Sequence, residues 1–237
     1  MNGRFRSLVI CYHAVTDRWN HPLAVGAETL ERQLAALVAR GYRPATAGRL
    51  LGGGKLLHVT FDDAFRSVAA ALRALERLRV PATVFACADY ADRPRPLGVP
   101  ELAAEVKAHP GELLTMGWDE LRGLADRGLE IGSHSISHAH LLRLSDAELR
   151  REVAESRERI EAELGRPCRL LAYPYGEHDA RVRSAARAAG YEAAFALPGR
   201  AAPVDRFALP RVGVYRKDGH LRLRLKASTL ARLARAR

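Results

Sequence analysis

Short apolar runs alternate with amphipathic stretches along most of the 237-residue chain. Apolar residues recur at three- to four-residue spacing in the amphipathic stretches, which is typical of surface helices, whereas short uninterrupted apolar runs are typical of buried strands. Strand–helix alternation favours parallel strands with helices packed outside them, so we expect an α/β fold in which about seven parallel strands close into a distorted (β/α) barrel. The predicted strands are Leu8–Tyr12, Leu56–Phe61, Ala82–Ala86, Leu129–Ile131, Leu170–Ala172, Ala193–Ala196 and Leu209–Val214.

Two stretches qualify this pattern. Ser145 followed three residues later by Glu148 forms a capping box, which predicts a long helix that continues to about Leu164 and ends at Gly165. The Pro- and Gly-rich stretch from residue 89 to residue 117 lacks periodicity over its first part, and we interpret it as a loop excursion above the barrel. No internal repeat divides the chain, so residues 1–218 are predicted to form one domain.

The chain is strongly basic, which suggests a nucleic-acid partner, but the distribution of its charge argues against one. The chain carries 38 Lys and Arg against 27 Asp and Glu, a net charge of +11, but only four of the 38 are lysines. Arginine in place of lysine throughout an alanine-rich chain is typical of a coding bias, and the charge is dispersed, so no nucleic-acid partner is expected. The exception is residues 219–237, which lack acidic residues and predict a basic, helical C-terminal tail. Such a tail either contacts an anionic membrane surface or a polyanion peripherally, or packs loosely on the barrel in solvent.

Targeting and cysteine signals are sparse. No segment reaches the roughly 18 apolar residues of a membrane span, and the first apolar run ends at Tyr12 and His13, without a signal-peptide cleavage site. The expected location is therefore cytoplasmic, including the inner membrane face. Cys11, Cys87 and Cys168 form no CxxC pair, which indicates buried reduced thiols instead of a disulfide framework or a zinc–thiolate site.

Adjacent carboxylates follow the second predicted strand. Asp62 and Asp63 end the segment HVTFDD, at the carboxyl end of a strand, where (β/α) barrels carry their chemistry. Two neighbouring carboxylates repel each other unless a cation or a proton intervenes. The alternative is structural: both would favour the dipole of a helix that begins at Ala64.

A pair of histidines follows the fourth predicted strand. His134 and His138 lie in the Ser-rich segment SHSISH, and a tight turn between them would allow both imidazoles to bind one metal ion. His140 is interpreted as a surface residue. One carboxylate and two imidazoles leave an open coordination position, which is typical of a catalytic divalent metal. One of the two aspartates would then bind the metal and the other would accept a proton.

A third polar cluster, LAYPYGEHDA, follows the fifth predicted strand. The turn at Pro174, Tyr175 and Gly176 could direct a backbone N–H towards the site, where a donor would stabilise the oxyanion formed when water attacks an acyl carbon. The alternative is a tight turn with packed tyrosines.

The motifs TFDD, HSISH and YPYG, in this order, resemble the polysaccharide deacetylase family, the NodB-homology carbohydrate esterases. The resemblance extends from CYHAV near the N-terminus to LPRVGV around Arg211. It implies a distorted (β/α) barrel and hydrolysis of an acetamide or acetyl ester on a sugar. It also implies that Asp62 is the general base and that Asp63, His134 and His138 bind a divalent metal, most commonly Zn²⁺, although other divalent metals also serve.

Departures from the family pattern raise specific hypotheses. The glycine that commonly follows TFDD is Ala64, and the arginine that often orients the base in the third motif is replaced by Ala172. Arg211 is the candidate that supplies this charge from another strand. LPRVGV lacks the histidine that often acts as general acid. A subgroup that deacetylates poly-N-acetylglucosamine begins with a YHxV motif whose histidine takes that role, so His13 is the predicted acid and His178 its rival.

The predicted function is therefore metal-dependent removal of acetyl groups from an N-acetylated glycan or glycolipid. An O-acetyl esterase, a non-catalytic sugar-binding protein and a basic surface-binding protein on the same fold are the alternatives.

Overall fold

The computed structural model of the protein describes residues 7–197 and 205–228, and nine strands and nine α-helices lie within these ranges. The strands are β1 (Leu8–Tyr12), β2 (Arg43–Pro44), β3 (Leu56–Phe61), β4 (Ala82–Ala86), β5 (Glu130–Ser133), β6 (Leu170–Ala172), β7 (Ala193–Ala196), β8 (Leu209–Pro210) and β9 (Val212–Gly213). The helices are α1 (Ala27–Ala39), α2 (Leu72–Leu78), α3 (Ala88–Asp92), α4 (Ala103–Ala108), α5 (Trp118–Asp126), α6 (Asp146–Arg150), α7 (Ser156–Leu164), α8 (Ala180–Ala188) and α9 (His220–Ala227).

The strands form one parallel sheet that closes on itself. Their order is β8-β7-β6-β5-β4-β3-β1-β9, and the short β2 pairs with β3 off this path. β8 and β9 are the two ends of the path, yet only Arg211 separates them in sequence. Because β8 pairs with β7 and β9 pairs with β1, this short segment joins both edges of the sheet. The predicted distorted (β/α) barrel is confirmed.

Two strand predictions need correction. The prediction of one strand over Leu209–Val214 is wrong, because the chain changes pairing partner at Arg211 and divides into β8 and β9. The predicted strand Leu129–Ile131 instead spans Glu130–Ser133. The two-residue β2 was not predicted, since it contains no apolar run.

Alternate residues of the strands fill two different cores. In β1, Leu8, Ile10 and Tyr12 belong to the large cluster between the sheet and the helices, whereas Val9 belongs to a smaller cluster enclosed by the strands. This alternation follows from the opposite directions of successive side chains in a strand. Residues that share the direction of Val9 therefore point into the barrel, and those beyond the carboxyl ends of the strands reach its upper rim.

The predicted excursion carries structure of its own. The stretch predicted to be a loop excursion contains most of α3 and all of α4, and it covers a third cluster around Trp19 and Phe65. A bridge between Phe65 and Thr115 attaches it to the rim. The excursion is therefore partly helical, and α3 was not predicted because the first part of the stretch shows no helical period.

The long helix predicted after Ser145 has a defect in the middle. Ser145 caps α6 through the backbone N–H of Glu148, as the capping box predicts. A π-helical turn, Arg151–Glu155, then joins α6 to α7, which ends at Gly165 in the left-handed conformation. The helix thus has the predicted ends, but its register shifts within it.

The basic segment begins with α9, whose residues Leu223 and Ala227 are buried against the large core. Buried Asp218 forms ion pairs with Arg222 and Lys226 and fixes the start of this helix. Residues 229–237 of the predicted tail lie outside the described residues. Within the described ranges, none of the helices has the length and apolar character needed to cross a membrane.

Candidate active site

The register of the parallel strands brings the sequence motifs together at one rim. Tyr12 pairs with Phe61, and the backbone N–H of Asp62 donates to the carbonyl oxygen of Tyr12 over 3.0 Å. His13 and Asp62 therefore leave adjacent strands at the same level. The first residue beyond β5, His134, is likewise hydrogen-bonded through its N–H to the end of β4. The carboxyl ends of β1, β3, β4 and β5 thus position the candidate residues.

Asp63, His134 and His138 converge on one point. Asp63 Oδ1 lies 3.3 Å from His138 Nε2 and 3.6 Å from His134 Nε2, and the three candidate ligand atoms are within 4.8 Å of one another. All three side chains are buried. Asp63 and His138 adopt positive φ values of 68° and 62°, which direct their side chains inward from turns instead of along a strand.

Protonation of this cluster follows from burial and charge. Burial lowers the pKa of His134 to about 4 against the opposing effect of Asp62, so His134 is neutral at pH 7. His134 Nδ1 lies 2.8 Å from the carbonyl oxygen of Ala172 and donates to it, which leaves the Nε2 lone pair facing Asp63. Burial alone would raise the pKa of Asp63, but His138 beside it holds that pKa below its usual range.

The donor set fits a divalent cation. Asp63 Oδ1 is buried and has no hydrogen bond of good geometry, although the Nε2 atoms of His138 and His134 face it at 3.3 and 3.6 Å. A buried acceptor without a donor is costly, and a cation bound by the carboxylate and both imidazoles would remove that cost. One carboxylate oxygen and two imidazole nitrogens are ligands that Zn²⁺ accepts, with room for a further ligand.

Arg211 holds the second aspartate. Its guanidinium donates to Asp62 Oδ1 over 2.6 Å and to Asp62 Oδ2 over 2.9 Å, and also to the Thr60 hydroxyl over 3.2 Å. Burial alone would raise the pKa of Asp62, but Arg211 and His134 outweigh it and hold the carboxyl far below its usual range. The arginine that the third motif lacks at Ala172 thus has a counterpart in the segment that closes the barrel.

His13 and Cys11 flank Asp62 on the other side. One His13 ring nitrogen, the Cys11 sulfur and an Asp62 oxygen lie within 4.8 Å of one another, and Cys11 Sγ is 3.4 Å from Asp62 Oδ2. His13 Nδ1 is buried without a hydrogen-bond partner among the described residues. The rival histidine, His178, contacts Arg183 instead, with its Nδ1 3.0 Å from the guanidinium. The contact with Cys11 was missed because the sequence gives no sign of which face of β1 points into the barrel.

The YPYG turn borders the metal-ligand cluster. Tyr175 has a positive φ of 58°, and its ring packs 4.6 Å from the ring of His138. Within the described residues its backbone N–H has no acceptor. Gly176 is required here, because a Cβ at this position would lie 1.6 Å from the carbonyl oxygen of Leu197. The turn therefore places the Tyr175 ring next to His138 and holds an unused backbone donor.

His140 is more than the surface residue that the sequence predicts. Its ring stacks on Tyr175 at 3.7 Å, and its two nitrogens face Glu101 and Glu177. Tyr175 also donates its hydroxyl hydrogen to Glu101 over 3.2 Å, which attaches the excursion to the rim. His140 lies outside the Asp63 cluster, as expected, but it supports the turn beside that cluster.

The purely structural alternative for the paired aspartates is wrong. No helix begins at Ala64: Asp63 and Ala64 both have positive φ, and the next helical turn starts at Arg66 without a side-chain cap. The left-handed conformation of Ala64 also explains why glycine is common at this position in the resembling family, since glycine adopts it without a steric cost.

The chain is similar to known proteins in sequence and in fold. YxkH of Bacillus subtilis, which is named as a polysaccharide deacetylase, is 23% identical over 217 residues, 87% of this chain and 70% of its own length. IcaB from Ammonifex degensii superposes with a TM-score of 0.76 at 24% identity, covering 95% of this chain and 98% of that one. The deacetylase PplD of Streptococcus pyogenes, solved with acetate, gives 0.78 at 16% identity, covering 95% and 99%. The family model described as polysaccharide deacetylase matches residues 52–194, more than half of the chain. The chain belongs to the polysaccharide deacetylase family, which makes it a hydrolase that acts on acetyl groups of glycans.

Proposed function

We propose that this protein is a metal-dependent N-deacetylase of an acetylated glycan or glycolipid. The observation that carries the proposal is the buried Asp63–His134–His138 cluster immediately beside the Asp62–Arg211 pair. Asp63, His134 and His138 would bind a divalent metal, and Zn²⁺ is the proposed ion. Such an ion supplies Lewis-acid chemistry: it polarises an acyl carbonyl and makes water easier to ionise.

In this mechanism Asp62 is the general base. Its carboxylate accepts a proton from the water that attacks the acetyl carbon. Arg211 keeps Asp62 ionised and fixes both of its oxygens, so the carboxylate is oriented before substrate binds. The same ion pair lowers the intrinsic basicity of Asp62. Orientation and a permanent negative charge are thus gained at the expense of proton affinity.

Two further groups would complete amide hydrolysis. The unused backbone N–H of Tyr175 would donate to the oxyanion of the tetrahedral intermediate. His13 would then donate a proton to the departing nitrogen as the carbon–nitrogen bond breaks. The products are acetate and a free amino sugar, and one water is consumed. The position of His13 beside Asp62, with an unpartnered Nδ1, supports this role better than His178, which pairs with Arg183.

The proposal favours an amide over an ester because an amine is the poorer leaving group and requires a proton donor, a role that His13 can fill. A structural relative at 19% identity, from Aggregatibacter actinomycetemcomitans, is described as a de-N-acetylase. Its TM-score is 0.75 over 92% of this chain. Because the identity is only 19%, the likeness supports the fold alone, and the bond that is cleaved needs its own test.

Metal dependence gives the decisive test. The purified protein is expected to contain a divalent metal and to release acetate from N-acetylglucosamine oligomers. Chelation should abolish release, and added Zn²⁺ or Co²⁺ should restore it. His134→Ala should lose both metal and activity, because it removes one of three ligands. Metal content is measured by elemental analysis and acetate by a coupled assay.

His140→Ala is the matched control, because His140 is close to His138 in sequence but outside the cluster, and it should retain metal. If acetate were released from O-acetylated sugars alone, the substrate bond would be an ester instead of an amide, and the assignment of the site residues would stand. A parent protein that binds no divalent metal would contradict the ligand assignment and the catalytic proposal together.

We also propose that α9 contacts an anionic membrane surface, with a cytoplasmic location as part of the same hypothesis. Leu221 and Leu225 are 60% and 70% exposed, one helical turn apart, while Leu223 is buried beneath them. Residues 219–237 contain six Lys and Arg and no acidic residue. Each basic residue near an anionic leaflet contributes about 1 kcal/mol, and exposed leucines favour lipid over a nucleic-acid backbone.

Exchanging both exposed leucines tests this contact. Leu221→Ser with Leu225→Ser is expected to weaken binding to phosphatidylserine-containing vesicles by about tenfold or more, since two partly inserted apolar side chains are lost. Leu142→Ser is the control, because Leu142 is 41% exposed but lies outside the basic segment. Binding is measured by vesicle cosedimentation at two salt concentrations. Equal binding by parent and double variant would refute the membrane contact and leave the deacetylase proposal intact.

A further inference from the structure

The turn that carries both histidines of the metal-ligand cluster is strained. Ser135 and His138 have φ values of 68° and 62°, in a region that residues other than glycine seldom occupy. Such conformations cost on the order of 1 kcal/mol or more each and persist only where surrounding contacts enforce them. The direction of the His138 ring therefore depends on whatever holds this turn.

Glu152 supplies three of the contacts that hold it, beside the hydrogen bond from the His138 N–H to Ser135 Oγ at 3.1 Å. Its Oε2 accepts the backbone N–H groups of Ile136 and Ser137 over 2.9 and 3.0 Å, and its Oε1 accepts the Ser137 hydroxyl over 2.7 Å. Three donors of the turn thus bind one carboxylate that lies 15 residues or more away in sequence. Among the described residues no Lys, Arg or His forms an ion pair with Glu152. The donors of the turn are therefore the partners of its carboxylate.

The π-helical turn Arg151–Glu155 positions Glu152. Single π-turns inside α-helices are rare and concentrate at functional sites. This one is connected to the strand that leads to His134. Ser156 donates to the carbonyl oxygen of Val153 over 3.0 Å, and its hydroxyl lies 2.8 Å from that of Ser133 at the end of β5. The π-turn is thus connected to Ser133 through Ser156, and to Ile136 and Ser137 through Glu152.

We propose that Glu152 is a positioning residue for the metal site, which sets metal affinity by fixing the turn that presents His138. The inference rests on the proposed metal-dependent function. Glu152 does not contact the Asp63 cluster itself; it acts through the N–H groups of the two residues immediately before His138. Hydrogen-bonded partners behind metal ligands typically contribute about 10- to 100-fold to metal affinity. Neither the helical pattern nor the metal-ligand motif marks Glu152 in the sequence, because its partners lie in another turn, 15 and 16 residues away.

Glu152→Ala is the test, and Glu155→Ala is the matched control. Glu155 lies in the same π-turn, but it forms an ion pair with exposed Arg151 at 3.6 Å. The Co²⁺ dissociation constant is measured by competition with a chelator, together with amide exchange of Ile136 and Ser137 in the metal-free protein. Glu152→Ala should raise the dissociation constant about 10- to 100-fold and accelerate exchange at both amides. Glu155→Ala should change neither.

Glu152→Gln distinguishes positioning from a general loss of stability. The amide oxygen can still accept the two N–H groups, so this variant should fall between the parent and Glu152→Ala in both measurements. A Glu152→Ala protein with a lower unfolding temperature but a dissociation constant within twofold of the parent would overturn the proposal. If the parent bound no Co²⁺, the proposed function would fail, and unchanged exchange at Ile136 and Ser137 would overturn the role of Glu152 independently.

Discussion

Asp62→Asn is expected to lower the turnover number for acetate release by about 10²- to 10⁴-fold while the protein retains its metal. Asparagine has nearly the same shape as aspartate and can still accept one hydrogen bond from Arg211, but its amide cannot take a proton from water at neutral pH. Asp62 is outside the Asp63–His134–His138 cluster, so the ligand set is unchanged. Turnover with N-acetylglucosamine oligomers and metal content by elemental analysis are measured on the same preparation.

The neighbouring carboxylate provides the control. Asp63→Asn removes a charged ligand atom and should lose both metal and turnover, so the two adjacent substitutions separate the base from the ligand. If Asp62→Asn turned over at a near-normal rate, the assignment of Asp62 as base would be refuted. If instead Asp62→Asn lost metal along with activity, Asp62 would be part of the metal site. The assignment of Asp62 as base and Asp63 as ligand would then be wrong.

The part of the site that could be predicted is the part that local sequence encodes. His13, Asp62 and His134 each follow an apolar run, and parallel strands necessarily bring their carboxyl ends to one rim. The same reasoning predicts the barrel, since strand–helix alternation leaves few other arrangements. The candidates Asp62 and His134 therefore required only the ends of the strands and the types of the residues that follow them, whereas His13 was singled out by its resemblance to the YHxV motif.

Features that depend on pairing partners distant in sequence could not be predicted. A single apolar run over Leu209–Val214 carries no sign that its two halves pair with opposite edges of the sheet. Nor does it show that Arg211 lies at the junction with its side chain inside the barrel. Glu152 was missed for a related reason: its role depends on a π-turn, which an amphipathic pattern does not resolve.

The second large expected effect is a loss of stability when Arg211, the residue at which the barrel closes, is replaced. The Arg211 and Asp62 side chains are almost completely buried, and two hydrogen bonds join them. Removing one partner of a buried ion pair leaves an uncompensated charge and costs about 3–5 kcal/mol. Arg211→Met is expected to lower the free energy of unfolding of the metal-free protein by this amount, because Asp62 would keep only the weak contact with Cys11 and a longer one, 3.9 Å, with His134.

A double-mutant cycle separates the ion pair from the loss of each side chain. Asp62→Asn combined with Arg211→Met removes both charges, so the double variant should be more stable than the sum of the single losses predicts, by about 1–3 kcal/mol. The exposed pair of Glu76 and Arg127, 2.6 Å apart, is the control and should couple by less than about 1 kcal/mol. Unfolding in urea of the metal-free proteins measures all the variants.

Additive losses at Asp62 and Arg211 would mean that the pair does not stabilise the closed barrel, and Arg211 would then matter for orienting Asp62 alone. Coupling of the expected size would mean that one ion pair both closes the sheet and orients the base, because the arginine that joins β8 to β9 is the one that binds Asp62.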